Sequence, residues 1–432
     1  MASAVVLVGS IAGAVAGIEP FATWLYPLTW YPTLALLEAA VVSRSGRFFL
    51  GRPAFLASAL AWSVPFWLFF ELLNLRLENW YYVSLPRDAA ARWLGIALSF
   101  ATVIPAILVT ERLLDALGVA DTLRTRSIRM PRGRILPAIG ALMLGLALAW
   151  PRAFFPLVWG GVFLLIDPWV LGHAPERSLL GDIERGRPGR IVRLLGAGLA
   201  VGLLWEAFNI AARGKWIYTV PGFEDFKLFE MPVMGFLGFP FFALEAFTAW
   251  QALVMAGLAA PAEERHAWAN GRAGTPPRAL PGTRGRRAAV NATSVAAVAF
   301  SAVAIAAMQT KTIASVVPTV NDLGAPEGPL ERVGIDDPWE LARGDPNDLA
   351  AALGTDAGAA RAWVERARLA TLRGIGANGA RRLESVGVGS VEELAGVEPE
   401  RLARRLAAPG APAQPARVRV WVRAARDAAR SQ

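Results

Sequence analysis

The stretches FWLFFELLNLRLENWYYVSLP (residues 66–86) and VGLLWEAFNIAARGKWIYTVP (201–221) are two versions of one pattern. Alignment pairs Glu71 with Glu206, Asn74 with Asn209, Trp80 with Trp216 and Tyr82 with Tyr218, with a one-residue shift inside the block. Each copy begins as an apolar helix, yet carries an acid and an amide three residues apart, on one helical face. A charge at mid-membrane costs about 2.5–3.5 kcal/mol on insertion scales, so that face must turn away from lipid, toward a partner or a cavity.

The duplication extends outward. LYPLTWYPTLALLEAAV (25–41) matches FFPLVWGGVFLLIDPWV (154–170), setting Trp30 on Trp159 and Glu38 on Asp167, and Pro105 falls opposite Pro240 in a third matched pair of segments. Apolar residues make up 54% of the 432 residues and are gathered into long blocks between arginine-rich pieces, which marks a polytopic membrane protein. The spans expected are 4–18, 23–42, 55–75 and 93–111, then 135–150, 156–172, 194–212 and 233–256, with a ninth at 288–308. The fold expected is therefore all-α: two parallel four-segment repeats (1–115 and 135–260), an Arg/Pro/Gly-rich loop (261–287), the ninth span, a linker (309–327) and a small helical domain (328–432). An even number of spans per unit keeps both copies in the same orientation, with any shared site between them.

Charge tests the topology. Loops 43–54, 112–134, 173–193 and 257–287 hold 20 basic residues, against seven in 76–92, 151–155 and 213–232. By the positive-inside rule the first set is cytoplasmic. The N-terminus then lies inside and the C-terminal domain outside, across a bacterial-type plasma membrane. The N-terminus lacks a basic leader region and a small-residue cleavage site, so the first apolar segment reads as a retained span.

The absence of cysteine excludes disulfides, thiolate nucleophiles and cysteine-ligated metals. The two histidines, His173 and His266, fall in polar connections, which leaves carboxylates as the acid–base groups of the spans. Glu71 and Glu206 are the first candidates. Glu230 and Glu245, in LFEMPVMGFLGFPFFALEAF, are possible further acids or bases, Glu245 having an approximate counterpart in Glu111. Two readings stay open: each glutamate is neutral and hydrogen-bonded, joining helices, or the two faces line a cavity in which a carboxyl serves as general acid. Asn74, Asn209, Trp80, Tyr82, Trp216 and Tyr218 are the candidate substrate-binding residues. Their aromatic members are either an interfacial belt or faces that stabilise a cation.

An intramembrane carboxylate, a W-x-Y at the end of its helix, and then a helix with proline, glutamate and paired phenylalanines resemble the membrane-integral, tandem-unit lycopene cyclase domain. The resemblance covers about 25–113 and 154–256. The family's P-x-E-E signature has its nearest features here in FEMP (229–232) and FPFFALE (239–245), and the family carries aspartate at the position of Glu206. The resemblance implies acid-catalysed isomerisation of a lipid-soluble polyene or isoprenoid, with one carboxyl donating a proton to an alkene, another carboxylate recovering it, and no cofactor or metal. No aspartate-rich diphosphate site, dinucleotide motif or P-loop is present. The alternatives are a proton-coupled carrier using the same acids, or a membrane-anchored binding protein.

The last hundred residues differ in kind. LATLRGIGANGARRLESVGV (369–388) resembles the helix-hairpin-helix motif, with Gly374 and Gly376 permitting the tight turn. VGIDDPWELARGDPNDLAAAL (333–353) matches VGVGSVEELAGVEPERLARRL (386–406) at an offset of 53. In nucleic-acid-binding members such a hairpin offers N–H groups to a phosphate. Residues 328–432 hold 16 arginines and 14 acids, a net of only +2. That balance suits a protein partner or a structural role better than a phosphate backbone.

Overall fold

The computed structural model describes residues 1–220, 227–262, 284–407 and 414–430, so most of the expected 261–287 loop lies outside the described residues. The chain is mostly helical and forms two compact units. The first comprises Met1–Leu77, Trp93–Ala211 and Asp225–Met308; the second comprises Glu78–Arg92, Ala212–Glu224 and Gln309–Gln432. Loops 78–92 and 212–224, which the sequence leaves with the membrane segments, thus belong to the C-terminal unit.

The helices of the first unit are α1 (Ala2–Val15), α2 (Phe21–Ser45), α3 (Pro53–Leu77), α4 (Ala89–Ala101), α5 (Val103–Ala116), α6 (Ile135–Ala149), α7 (Pro151–Phe154), α8 (Val158–His173), α9 (Leu179–Glu184), α10 (Gly189–Ala211), α11 (Gly238–Ala256) and α12 (Arg284–Lys311). Among the described residues, six helical stretches are long and apolar enough to cross a membrane: Pro53–Leu77, Ala89–Ala116, Pro151–His173, Gly189–Ala211, Val233–Ala256 and Ala288–Lys311. A helix satisfies its own backbone, which is why apolar sequence of this length takes that form in lipid. The expected spans at 4–18 and 135–150 are shorter. α1 has 14 residues and α6 has 15, which at about 1.5 Å per residue fall short of a hydrocarbon core of about 30 Å. α2 has 25 residues but carries Pro27, Pro32 and Glu38.

α1 packs on α2 and α6 on α8, while α5 and α11 both pack on α10. Ile104, Ala106, Ile107 and Val109 on α5 are fully buried, placing the core around that helix. Two glycines let α10 close on α11. A Cβ at Gly198 would lie 2.3 Å from the Phe239 carbonyl oxygen, and one at Gly202 would lie 2.2 Å from the Phe239 ring. Small residues at such a contact let helix backbones approach in lipid. α8 is broken near its start, where Trp159 has ψ 98° and Gly160 φ 117°, a conformation open to glycine.

Among the described residues, the second unit holds a β-ribbon and eight α-helices. β1 (Trp80–Val83) and β2 (Lys215–Tyr218) pair antiparallel, Trp80 opposite Tyr218, Tyr81 opposite Ile217 and Tyr82 opposite Trp216. An all-α expectation therefore needs correction: the W-x-Y segments are strands. Tryptophan, tyrosine, valine and isoleucine favour extended backbone, and each four-residue strand finds its partner in the other. The helices are α13 (Glu327–Glu331), α14 (Pro338–Arg343), α15 (Pro346–Leu353), α16 (Ala357–Thr371), α17 (Gly376–Ser385), α18 (Val391–Gly396), α19 (Pro399–Leu406) and α20 (Pro415–Arg430). α14 and α18 are each six residues and α15 and α19 each eight. Their N-caps are side-chain acceptors in each case, Asp337 and Ser390, then Asp345 and Glu398. Leu330, Leu341, Val364, Leu383, Leu394 and Leu402 are among the side chains of their common core.

Candidate functional site

Glu71 and Asn74 on α3, and Glu206 and Asn209 on α10, are all fully buried inside the first unit. None is presented outward, as their cost in hydrocarbon requires. Trp67, one turn before Glu71, donates from Nε1 to Glu71 Oε1 at 2.9 Å.

Aromatic rings join the helices that carry these acids. Trp67 lies 6.3 Å from Trp205, the neighbour of Glu206, and Trp205 lies 5.8 Å from Trp30 on α2. Trp67 also meets Phe242 of α11 edge-on at 5.4 Å, and Phe70 stacks on Trp159 of α8 at 5.5 Å, their planes 18° apart. Five helices thus converge on one aromatic cluster at centroid distances typical of favourable pairs. Chemically, the cluster offers π-faces, which attract cationic charge, with the buried Glu71 carboxyl beside Trp67.

Glu245 is placed differently. Its Oε1 accepts from the Gly160 N–H at 2.7 Å and the Val162 N–H at 3.0 Å, so it braces the break in α8. Its Oε2 is buried without a hydrogen-bond partner among the described residues. Glu230 is buried on the short hairpin of 227–232.

Two further acids did not enter the candidate set from sequence, though the repeat had paired them. Glu38 Oε1 accepts from the N–H groups of Phe49 at 2.7 Å and Gly51 at 3.0 Å. Asp167 accepts from Ser178 Oγ at 2.5 Å, Leu180 N at 2.9 Å, Thr248 Oγ1 at 3.2 Å and Leu179 N at 3.3 Å. Each reaches 11 to 13 residues ahead, to the backbone that opens the next element. The matched position was the available signal; hydrogen bonds across that distance are not legible in a sequence. The same end of the first unit carries ion pairs of Arg193 with Glu111 (2.8 Å) and of Arg190 with Asp182 (2.7 Å).

The W-x-Y residues belong to the second unit. Trp80, Tyr82 and Tyr218 are buried and Trp216 is half-buried. Gly374 and Gly376 sit at the turn between α16 and α17, with φ of 83° and 67°. Both are buried. The Gly374 carbonyl accepts from Trp421 Nε1 at 2.8 Å and from the Tyr81 hydroxyl at 3.2 Å. Among the described residues, no group of three or more histidine, aspartate or glutamate side chains could hold a metal ion.

A family model described as a domain of unknown function (DUF4332) matches residues 329–427, the helical part of the second unit. No curated protein and no solved structure matches the chain.

Proposed function

We propose that the membrane part is a duplicated bundle enclosing one acid site, and that it isomerises a lipid-soluble, alkene-bearing substrate of the isoprenoid or carotenoid class without a cofactor. The observation that carries this reading is the full burial of Glu71 and Glu206 on two helices that meet through Trp67 and Trp205. A carboxylic acid in a dry site holds its proton at neutral pH and releases it only to a base that it directly faces. In the proposed step one carboxyl O–H bond breaks as a C–H bond forms at an alkene carbon, leaving a carbocation. The π-bond attacks within the molecule, and a neighbouring C–H proton returns to a carboxylate. Atoms and charge balance with no redox partner. Trp67 and Trp205 supply π-faces for the cation, and Asn74 and Asn209 orient the carboxyls.

The duplicated topology draws support from the matched carboxylates Glu38 and Asp167, each holding backbone of the element that follows. It also draws support from the three segments that follow α3, α10 and α12, which all enter the second unit. Those three helices then end on the same side of the membrane. With basic loops on the other side, that side is extracytoplasmic.

The test is Glu206→Gln, which keeps size and hydrogen-bonding capacity while removing the acid. Membranes carrying the variant should contain folded protein at the parent level, while the lipid-soluble product falls by about 10²- to 10⁴-fold, the usual worth of a general acid. Product at the parent level removes the proposal.

A further inference from the structure

We propose that the C-terminal helical unit is a clasp for the two W-x-Y strands: its glycine hairpin is a receptor for Tyr81 and Ser315, and its partner is the chain's own β-ribbon instead of nucleic acid. Tyr81, at the middle of β1, is buried, and its hydroxyl reaches the Gly374 carbonyl. A Cβ at Gly374 would lie 2.4 Å from that hydroxyl, and one at Gly376 would lie 2.4 Å from the Ser315 Cβ. The space that a phosphate would use at such a hairpin is thus filled by side chains of this chain. The Arg417 guanidinium lies over the Tyr81 ring at 4.4 Å and also donates to the Lys311 carbonyl at 2.9 Å.

The ribbon is held on a second edge. Tyr82 N–H donates to Thr312 O at 2.7 Å, Ala314 N–H donates to Tyr82 O at 2.8 Å, and Val317 N–H donates to Leu85 O at 2.9 Å. Residues 312–317 therefore run parallel to β1, opposite β2, and Ser315 Oγ accepts from the Ser84 N–H at 3.1 Å. The loop that leads into β2 is fastened as well. Arg213 pairs with Asp337 at 3.0 Å and covers the Trp339 ring at 4.1 Å. Tyr81, Val83 and Ile217 form one apolar face with Val420 of α20. Since β1 follows α3, β2 follows α10 and 312–317 follows α12, the clasp ties together the chain ends leaving three membrane helices.

The absence of cysteine makes the test clean. Tyr82→Cys with Trp216→Cys places a thiol pair at facing positions of the ribbon, on the side opposite Tyr81. The separation there suits a disulfide. Oxidation in intact membranes should join the pair rapidly in an otherwise unchanged chain. Adding Gly374→Val should slow it by at least about tenfold, because the strands lose the clasp that keeps them at high effective concentration. Gly374→Val can unfold the helical unit, so a reciprocal measurement leaves that unit intact. Tyr81→Ala should make residues 329–427 cleavable by a protease that spares the parent. An unchanged cross-linking rate in Gly374→Val, or unchanged protease resistance in Tyr81→Ala, overturns the proposal. Salt-dependent binding of a DNA or RNA duplex by the full chain in detergent would overturn it too, because the hairpin cannot hold Tyr81 and a phosphate together. The cross-link reads the ribbon alone, so its outcome is independent of any chemistry at the buried carboxylates.

Discussion

Glu38 and Asp167 can be set beside Glu71 and Glu206: four carboxylates in apolar helices, used in two ways. The first pair is engaged by backbone N–H groups and hydroxyls that open the following element. The second pair stands on helices that meet through tryptophan rings. Backbone amides hold the first pair in place, while the second pair stands on α3 and α10 where tryptophan rings join the two helices. Burial alone therefore does not identify a chemical acid.

The largest effect that sharpens this contrast is on activity. Glu71→Gln should lower product by about 10²-fold or more, with the folded protein retained. Comparison of lipid extracts with the amount of folded protein in the same membranes checks it. Asp167→Ala should do the reverse. It strips the acceptor from two buried N–H groups and two hydroxyls, at about 1–3 kcal/mol for each donor left without a partner, so the folded yield and the thermal midpoint in detergent should fall sharply. The surviving molecules should keep their product per mole. A smaller loss is expected from Gly198→Ala, whose new Cβ meets the Phe239 carbonyl and forces α10 from α11. About 1–3 kcal/mol of overpacking strain is expected there, readable as a lowered thermal midpoint.

The smallest effect lies in the second unit. The Arg87 guanidinium donates to Asp322 and holds its carboxyl below the ordinary aspartate range, with the Thr319 N–H helping. A lowered folded value stabilises the folded state fully above the unfolded aspartate value, and that contribution disappears as pH falls through the lowered one. The pair is partly exposed and screened by salt. Protease resistance of residues 329–427 should therefore weaken slightly on acidification, and Arg87→Ala should remove that part of the pH dependence.

Much of the helical content was legible. Apolar runs located α3, α8, α10 and α11, and a 53-residue offset located α14 with α18 and α15 with α19. The expected 4–18 and 135–150 also located α1 and α6, at nearly the observed lengths. The ribbon was not legible at all as a ribbon. A four-residue W-x-Y acquires a strand's identity only from a partner more than a hundred residues away, and the sequence pairs Trp80 with Trp216 where the antiparallel register sets Trp80 against Tyr218. The candidate acids were visible as misplaced charges in apolar sequence. The bracing role of Glu38 and Asp167 was not, because it depends on donors such as Phe49 N–H and Leu180 N–H that every residue but proline possesses.

The most direct measurement compares Glu38→Gln with Glu206→Gln in membranes of the same composition, recording the lipid-soluble product per folded molecule. The account predicts that Glu38→Gln lowers the number of folded molecules and leaves product per molecule unchanged, while Glu206→Gln leaves the number unchanged and abolishes product. Equal product per folded molecule in both variants would contradict it.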